Sequence, residues 1–186
     1  MSNAMIPHDE RMPAVRQRSF DRTGWMASVL ALGSEGILRT HGRLPEATAV
    51  IESALSHGIN VFDTAPAWAS SEEYLGTALA GHRHCVFIGS KTHDRTRDGS
   101  WRLLEESLRR LRTNVLDLWQ IQDVRTNEQL RRISAPDGAI TACREAREQG
   151  IVNRGSCARS VSQGTTTAKS STQCCAVSTQ TSSLFQ

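Results

Sequence analysis

The sequence predicts an α/β fold of parallel strands alternating with helices, in the manner of a (β/α) barrel. Three runs predict it. Residues 61–63 read Val-Phe-Asp, residues 86–91 read Val-Phe-Ile-Gly-Ser-Lys, and residues 116–122 read Leu-Asp-Leu-Trp-Gln-Ile-Gln. Each is a short apolar run that ends in a polar side chain, and a helical pattern precedes each one. Parallel barrels gather their functional groups at the C-terminal ends of their strands in this way.

The elements follow in order. Residues 29–32 read as a first strand, followed by a loop with Gly33 and Ser34. Pro45 suits a first helical turn, and Ala47, Val50, Ile51, Ala54 and Leu55 recur at helical spacing until Gly58 stops the helix. Residues 60–62 are a second strand. Ser70 or Ser71 then opens a helix with Glu72 and Glu73 in its positive first turn and Tyr74, Leu75, Ala78 and Leu79 on its apolar face. Residues 85–89 make a third strand. Ser100 caps a helix that buries Trp101, Leu104, Leu108 and Leu111. Residues 115–121 make a fourth strand. Residues 139–149 form a helix closed by Gly150, and Ile151 and Val152 begin a fifth strand. Strands of such low polarity are covered on both faces.

Composition narrows the function classes. A chain of 186 residues suffices for one well-buried domain. Its formal charge of +3 comes from Arg154, Arg159 and Lys169, which follow the last acid, Glu148. The rest is balanced, so charge argues for neither a nucleic-acid nor a membrane partner. No apolar run reaches membrane-span length, and no signal peptide is evident. The five cysteines show no metal-ligand spacing; Cys85 lies in an apolar run and Cys174 and Cys175 are adjacent. Reduced thiols and a cytoplasmic location are expected. His82 and His84 read as a solvated loop, and no metal site is expected. Trp101 and Trp119 read as core aromatics, and the stretch Arg109-Arg110-Leu111-Arg112 as a solvated helix face.

Several motifs in order carry a family likeness. They are Phe62-Asp63-Thr64-Ala65-Pro66-Ala67-Trp68, Ser71-Glu72, Leu75-Gly76, Ser90-Lys91, Ser107 to Leu111, and Leu116 to Asp123. From about Arg22 to Val152 the chain resembles the aldo-keto reductases. The resemblance implies a (β/α)8 TIM barrel of which about the first half is present. It also implies NADPH-dependent reduction of a small-molecule carbonyl by hydride transfer. The family uses a Tyr proton donor, a Lys that lowers its pKa, an Asp paired with the Lys, and a His that orients the carbonyl. Asp63 and Lys91 stand at the Asp and Lys positions. Trp68 stands at the Tyr position and Gln122 at the His position. Gly33, Ser34 and Asp63 are candidates for the cofactor side. An indole N–H donates a hydrogen bond but surrenders no proton near neutral pH, so activity is expected to be impaired. The alternative is a non-catalytic nucleotide-binding or interaction protein on the same scaffold. Tyr74 reads as packing, not as a substitute donor.

Three segments are expected. Residues 1–4 look like an expression scar, residues 5–152 form the partial barrel, and residues 153–186 form a disordered Ser/Thr-rich tail. The tail also reads as a shifted frame. Moving the frame by one base creates codons with a central T, hence apolar residues, across Lys169-Ser170, Cys174-Cys175 and Ser182-Ser183-Leu184. Those positions spell a helix and then a strand, the barrel's next unit. Half a barrel would leave open parallel edges, which invite self-association.

Overall fold

The computed structural model describes residues 14–20, 25–153 and 155–157. The expectations for residues 1–4, for the shifted frame and for residues 158–186 lie outside the described residues. The described chain opens with a hairpin that the sequence reading did not predict. Strand β1 (Gln17–Phe20) pairs antiparallel with β2 (Trp25–Ser28).

Five further strands make one parallel sheet: β3 (Leu32–Gly33), β4 (Val61–Asp63), β5 (Phe87–Thr92), β6 (Leu118–Ile121) and β7 (Gly155–Cys157). Their order in space is their order in the chain. Between them run helices α1 (Leu44–Ser56), α2 (Ser71–Ala78), α3 (Arg97–Arg110), α4 (Asn127–Ser134) and α5 (Ala139–Glu148). This is the expected TIM-barrel wall, about half of it: successive parallel strands, each reached by a helical crossover.

Strand periodicity divides the sheet into two faces. Leu32, Phe62 and Ile88 share one face by register, as do Ser90 with Trp119 and Thr92 with Ile121. On that face Phe62, Ile88, Trp119 and Ile121 are fully buried and join the core with Leu75, Leu104, Ala142 and Ala146 from the helices. The other face carries Asp63, Gly89, Lys91, Leu118 and Gln120. It corresponds to the barrel interior, and Asp63, Lys91, Leu118 and Gln120 are only half-buried there.

The hairpin lies across the N-terminal end of the sheet. Asn60, just before β4, accepts from Ser28 N at 2.8 Å and donates from Nδ2 to Met26 O at 2.8 Å. The Phe20 ring meets Phe87 edge-on at 5.3 Å. A second tie at this end is the Arg83 guanidinium. It bonds Val86 O at 3.0 Å, Val115 O at 2.8 Å, Thr113 Oγ1 at 3.1 Å and the Asp117 carboxylate at 2.8 Å.

Several boundaries differ from the sequence reading. The first strand is Leu32–Gly33, not residues 29–32, because the chain turns after the hairpin: Ser28 Oγ donates to Leu30 O at 2.6 Å. Cys85 is exposed in a short 3-10 turn, and the strand starts at Phe87. Helix α3 is capped by Thr96, whose hydroxyl accepts from Gly99 N at 3.0 Å; Ser100 is a buried residue of the helix. Helix α4 was not predicted. The fifth strand lies at Gly155–Cys157, beyond the boundary drawn at Val152, while Val152 itself forms an isolated parallel bridge with Leu116.

Candidate active site

The polar residues at the strand ends meet. Asp63 closes β4, and Lys91 is the fifth residue of β5. Lys91 Nζ donates to Asp63 Oδ1 at 2.6 Å and to Thr64 O at 3.0 Å. Trp68 comes from the loop between β4 and α2. Its ring lies under the same ammonium, 4.3 Å from Nζ to centroid. The Lys91 side chain is 13% exposed and that of Asp63 is 40% exposed, so the pair sits at an opening. A cation against an indole face is attracted to the ring quadrupole, and more so when desolvated.

Burial pulls the Lys91 ammonium below the usual lysine range. The charge and hydrogen bond of Asp63, then the charge of Glu72, oppose that shift. Gly89 is the register partner of Asp63. A Cβ there would stand 3.6 Å from Asp63 Oδ1, ordinary contact, so the pair does not require glycine for space.

Gly33 pairs in register with Asp63, and Ser34 N donates to Asp63 O at 3.0 Å. The Ser34 hydroxyl is buried and makes no hydrogen bond within the protein, while a Cβ on Gly33 would meet open space. Gln122 follows β6, two residues beyond the register partner of Lys91. Its main chain is fixed, with N donating to Thr92 O at 2.8 Å and O accepting from Arg95 Nη1 at 2.8 Å. The structure thus brings Asp63, Lys91 and Trp68 into contact. Gln122 lies on the neighbouring strand end, and no bond joins its side chain to those three.

Two backbone features flank Trp68 and Gln122. Ala69, after Trp68, has φ 46°, and Asp123, after Gln122, has φ 62°. Left-handed conformations at non-glycine residues concentrate at functional loops.

Behind the site lies a buried polar cluster that the sequence reading missed. Glu72 was read as a first-turn acid; it is 1% exposed and accepts from Ser90 Oγ at 2.7 Å. Arg110 was read as part of a solvated face; Nη1 lies 3.6 Å from Glu72 Oε2, and Nη2 pairs with Glu106. Burial pushes the Glu72 carboxyl up, against the Ser90 hydrogen bond and smaller contributions from Ser107 and Arg110. No spacing in the sequence marks this pair: it forms because α2 and α3 pack closely, with Gly76 against the Arg110 main chain. Tyr74 is buried as packing, its hydroxyl accepting from Arg43 N at 2.9 Å. Trp119 is fully buried, and Trp101 is half-buried with Nε1 on Glu145 at 2.8 Å. His82 and His84 are exposed, and no cluster of metal-ligating groups occurs among the described residues. Nor is any described helix long and apolar enough to cross a membrane.

Comparison with known proteins agrees with this fold. The family model "Aldo/keto reductase family" matches residues 30–181, and so runs past Val152 into the Ser/Thr-rich segment. Aldo-keto reductase YhdN of Bacillus subtilis is 36% identical over 116 residues, 53% of this chain and 35% of that protein. A Pseudomonas aeruginosa structure assigned to the aldo-keto reductases superposes with a TM-score of 0.70 at 26% identity, covering 82% of this chain and 63% of that one. A Klebsiella pneumoniae aldo-keto reductase solved in complex with NADPH superposes with a TM-score of 0.60 at 26% identity, covering 71% of this chain and 45% of that one. The chain spans less than half the length of the curated relatives it matches, between 35% and 43%. A model covering most of the chain, on a half-barrel wall with Asp63 and Lys91 paired at its mouth, identifies the protein as a member of the aldo/keto reductase family.

Proposed function

We propose that this chain carries a nicotinamide-dependent carbonyl-reductase site in weakened form, taking NADPH and a small-molecule aldehyde or ketone in the cytoplasm. One observation carries the reading: Lys91 is seated on Asp63 at 2.6 Å and stacked on Trp68 at the C-terminal end of the strands. The residues present suit the nicotinamide end of the cofactor. Open space lies over Gly33, and the buried Ser34 hydroxyl is unpaired within the protein. When bound, that cofactor supplies a hydride. The chain's own groups do the rest. Asp63 holds the Lys91 ammonium in place. Lys91, the Trp68 N–H and the Gln122 amide offer hydrogen bonds to a carbonyl oxygen, and all three favour the oxygen as it gains negative charge. The Trp68 N–H and the Gln122 amide surrender no proton, which leaves the Lys91 ammonium, already committed to Asp63, as the sole acid of the three, and general acid catalysis contributes roughly 10²–10⁴ in rate.

The Trp68 ring on the ammonium also favours a second reading, a non-catalytic nucleotide-binding or interaction protein. Titration with NADPH and oxidation of NADPH with a reactive aldehyde separate the two. Expected are measurable binding and turnover barely above a Lys91→Met control. Binding with no turnover supports the second reading, and fast turnover by the unaltered chain overturns the role given to Trp68. If the frame is shifted after Val152, Trp68→Tyr with Gln122→His restores turnover only in a chain whose frame is also restored.

A further inference from the structure

We propose that Glu72 is a positioning residue for the mouth, acting through Ser90 and Arg110 on the two segments that hold Lys91 and Trp68; this rests on Lys91 being the working amine of the proposed site. The carboxylate is buried, on the face of the sheet opposite Lys91. One oxygen accepts from Ser90 Oγ at 2.7 Å, and Ser90 precedes Lys91 on β5. The other oxygen meets no hydrogen-bond geometry; the Arg110 guanidinium stands 3.6 Å away, and the buried Ser107 hydroxyl acts on the same carboxyl. Arg110 in turn donates from Nη1 to Pro66 O at 3.3 Å, in the loop that carries Trp68 two residues later. A second fastening, Thr64 Oγ1 to Ser71 Oγ at 2.7 Å, holds the start of that loop to the first turn of α2. The strand under the amine and the loop under the indole are therefore tied to one carboxylate.

A buried acid would serve packing better as an apolar residue of similar volume, because desolvating a charge is expensive. Here the charge has an electrostatic use. Asp63 from β4 pairs directly with the Lys91 ammonium on the mouth side, and the Glu72 charge acts on it from behind the sheet. Around Glu72 stand Arg110 and, beyond it, Glu106 from α3. Glu72 is thus a second anion that keeps Lys91 protonated against its burial, without occupying the mouth.

The chain makes this directly readable, since Lys91 and Lys169 are its only lysines. With lysine labelled at Cε with carbon-13, NMR gives two signals, and Lys91→Arg assigns them. In Glu72→Gln the Ser90 hydroxyl keeps an acceptor while the charge is lost. The expected result is a Lys91 midpoint lowered by several tenths of a pH unit, with Lys169 unmoved and Trp68 shifted from the ammonium as seen by near-ultraviolet circular dichroism. Glu72→Asp should return part of the shift. An unchanged or raised midpoint in a folded variant overturns the proposal. Should Glu72→Gln not fold, Asp63→Asn provides the same test. Its Lys91 signal should retain one acid-side step, above the ordinary glutamate range, as Glu72 takes up its proton; absence of that step overturns the proposal. Neither readout needs cofactor binding or turnover, so failure of the proposed activity leaves this test intact.

Discussion

Lys91 shows how one residue acquires two meanings. A lysine after an apolar run, with an Asp at the end of the preceding strand, was legible as a pair because strand ends of a parallel barrel converge. The register of β4 on β5 realises it. What the sequence did not carry was the second anion. Glu72 in a first helical turn looks like any acid placed for the helix dipole; its burial depends on α3 arriving with Arg110. The pH consequence follows from the sign of the shift. The folded-state pKa of Lys91 lies below its unfolded value of 10.5. The unfolded chain then binds more protons between those two values, so stability rises as pH climbs through that window. Urea unfolding of the protein and of Lys91→Met, from neutral pH to 10.5, should show this rise in the first and a smaller one in the second. Equal slopes would mean the amine is solvated.

At the level of elements, long amphipathic helices and apolar strands were readable, and short polar ones were not. Helix α4 buries Ile133 alone, so no apolar stripe marks it; its signature is the capping box of Thr126 and Gln129, Gln129 N donating to Thr126 Oγ1 at 3.1 Å. The hairpin was missed because Gln17, Arg18 and Ser19 are exposed and show no alternation toward a core. Two substitutions should rank the forces here. Thr126→Ala removes a solvent-exposed cap and should cost about 1 kcal/mol. In Gly76→Ala the new Cβ would stand 2.2 Å from Arg110 O and 2.8 Å from the Leu111 backbone. Main chain cannot rotate away, so α2 and α3 must part, at about 3 kcal/mol by analogy with overpacked cores. Chemical denaturation that finds the two equal, or the cap change larger, would show that the helices slide apart freely.

Across the whole molecule the alternating rhythm was enough to read the wall, because each crossover must bury one helix face on the sheet. Where the wall stops was not legible. The boundary at Val152 rested on a change in composition, and β7 lies past it. In the described residues β3 and β7 each pair with one neighbour only. Unpaired N–H and C=O groups on such edges are templates for another chain. Sedimentation over a range of concentrations should therefore show self-association that grows with concentration. A single monomeric species throughout would mean that the edges are covered.

The left-handed residues Ala69 and Asp123 carry a consequence for substitution at this mouth. Each stands immediately after a residue of the proposed site, Trp68 or Gln122, and each sets the course of the main chain there. Around Gln122 that course is held by bonds to its own N and O, and around Trp68 by Trp68 N on Ala65 O at 3.0 Å. None of these anchors uses the side chain of Trp68 or Gln122. Exchange of either side chain therefore breaks none of these main-chain bonds. Trp68→Tyr and Gln122→His would each find the backbone already in place, so what they probe is the side chain and not a refolded loop.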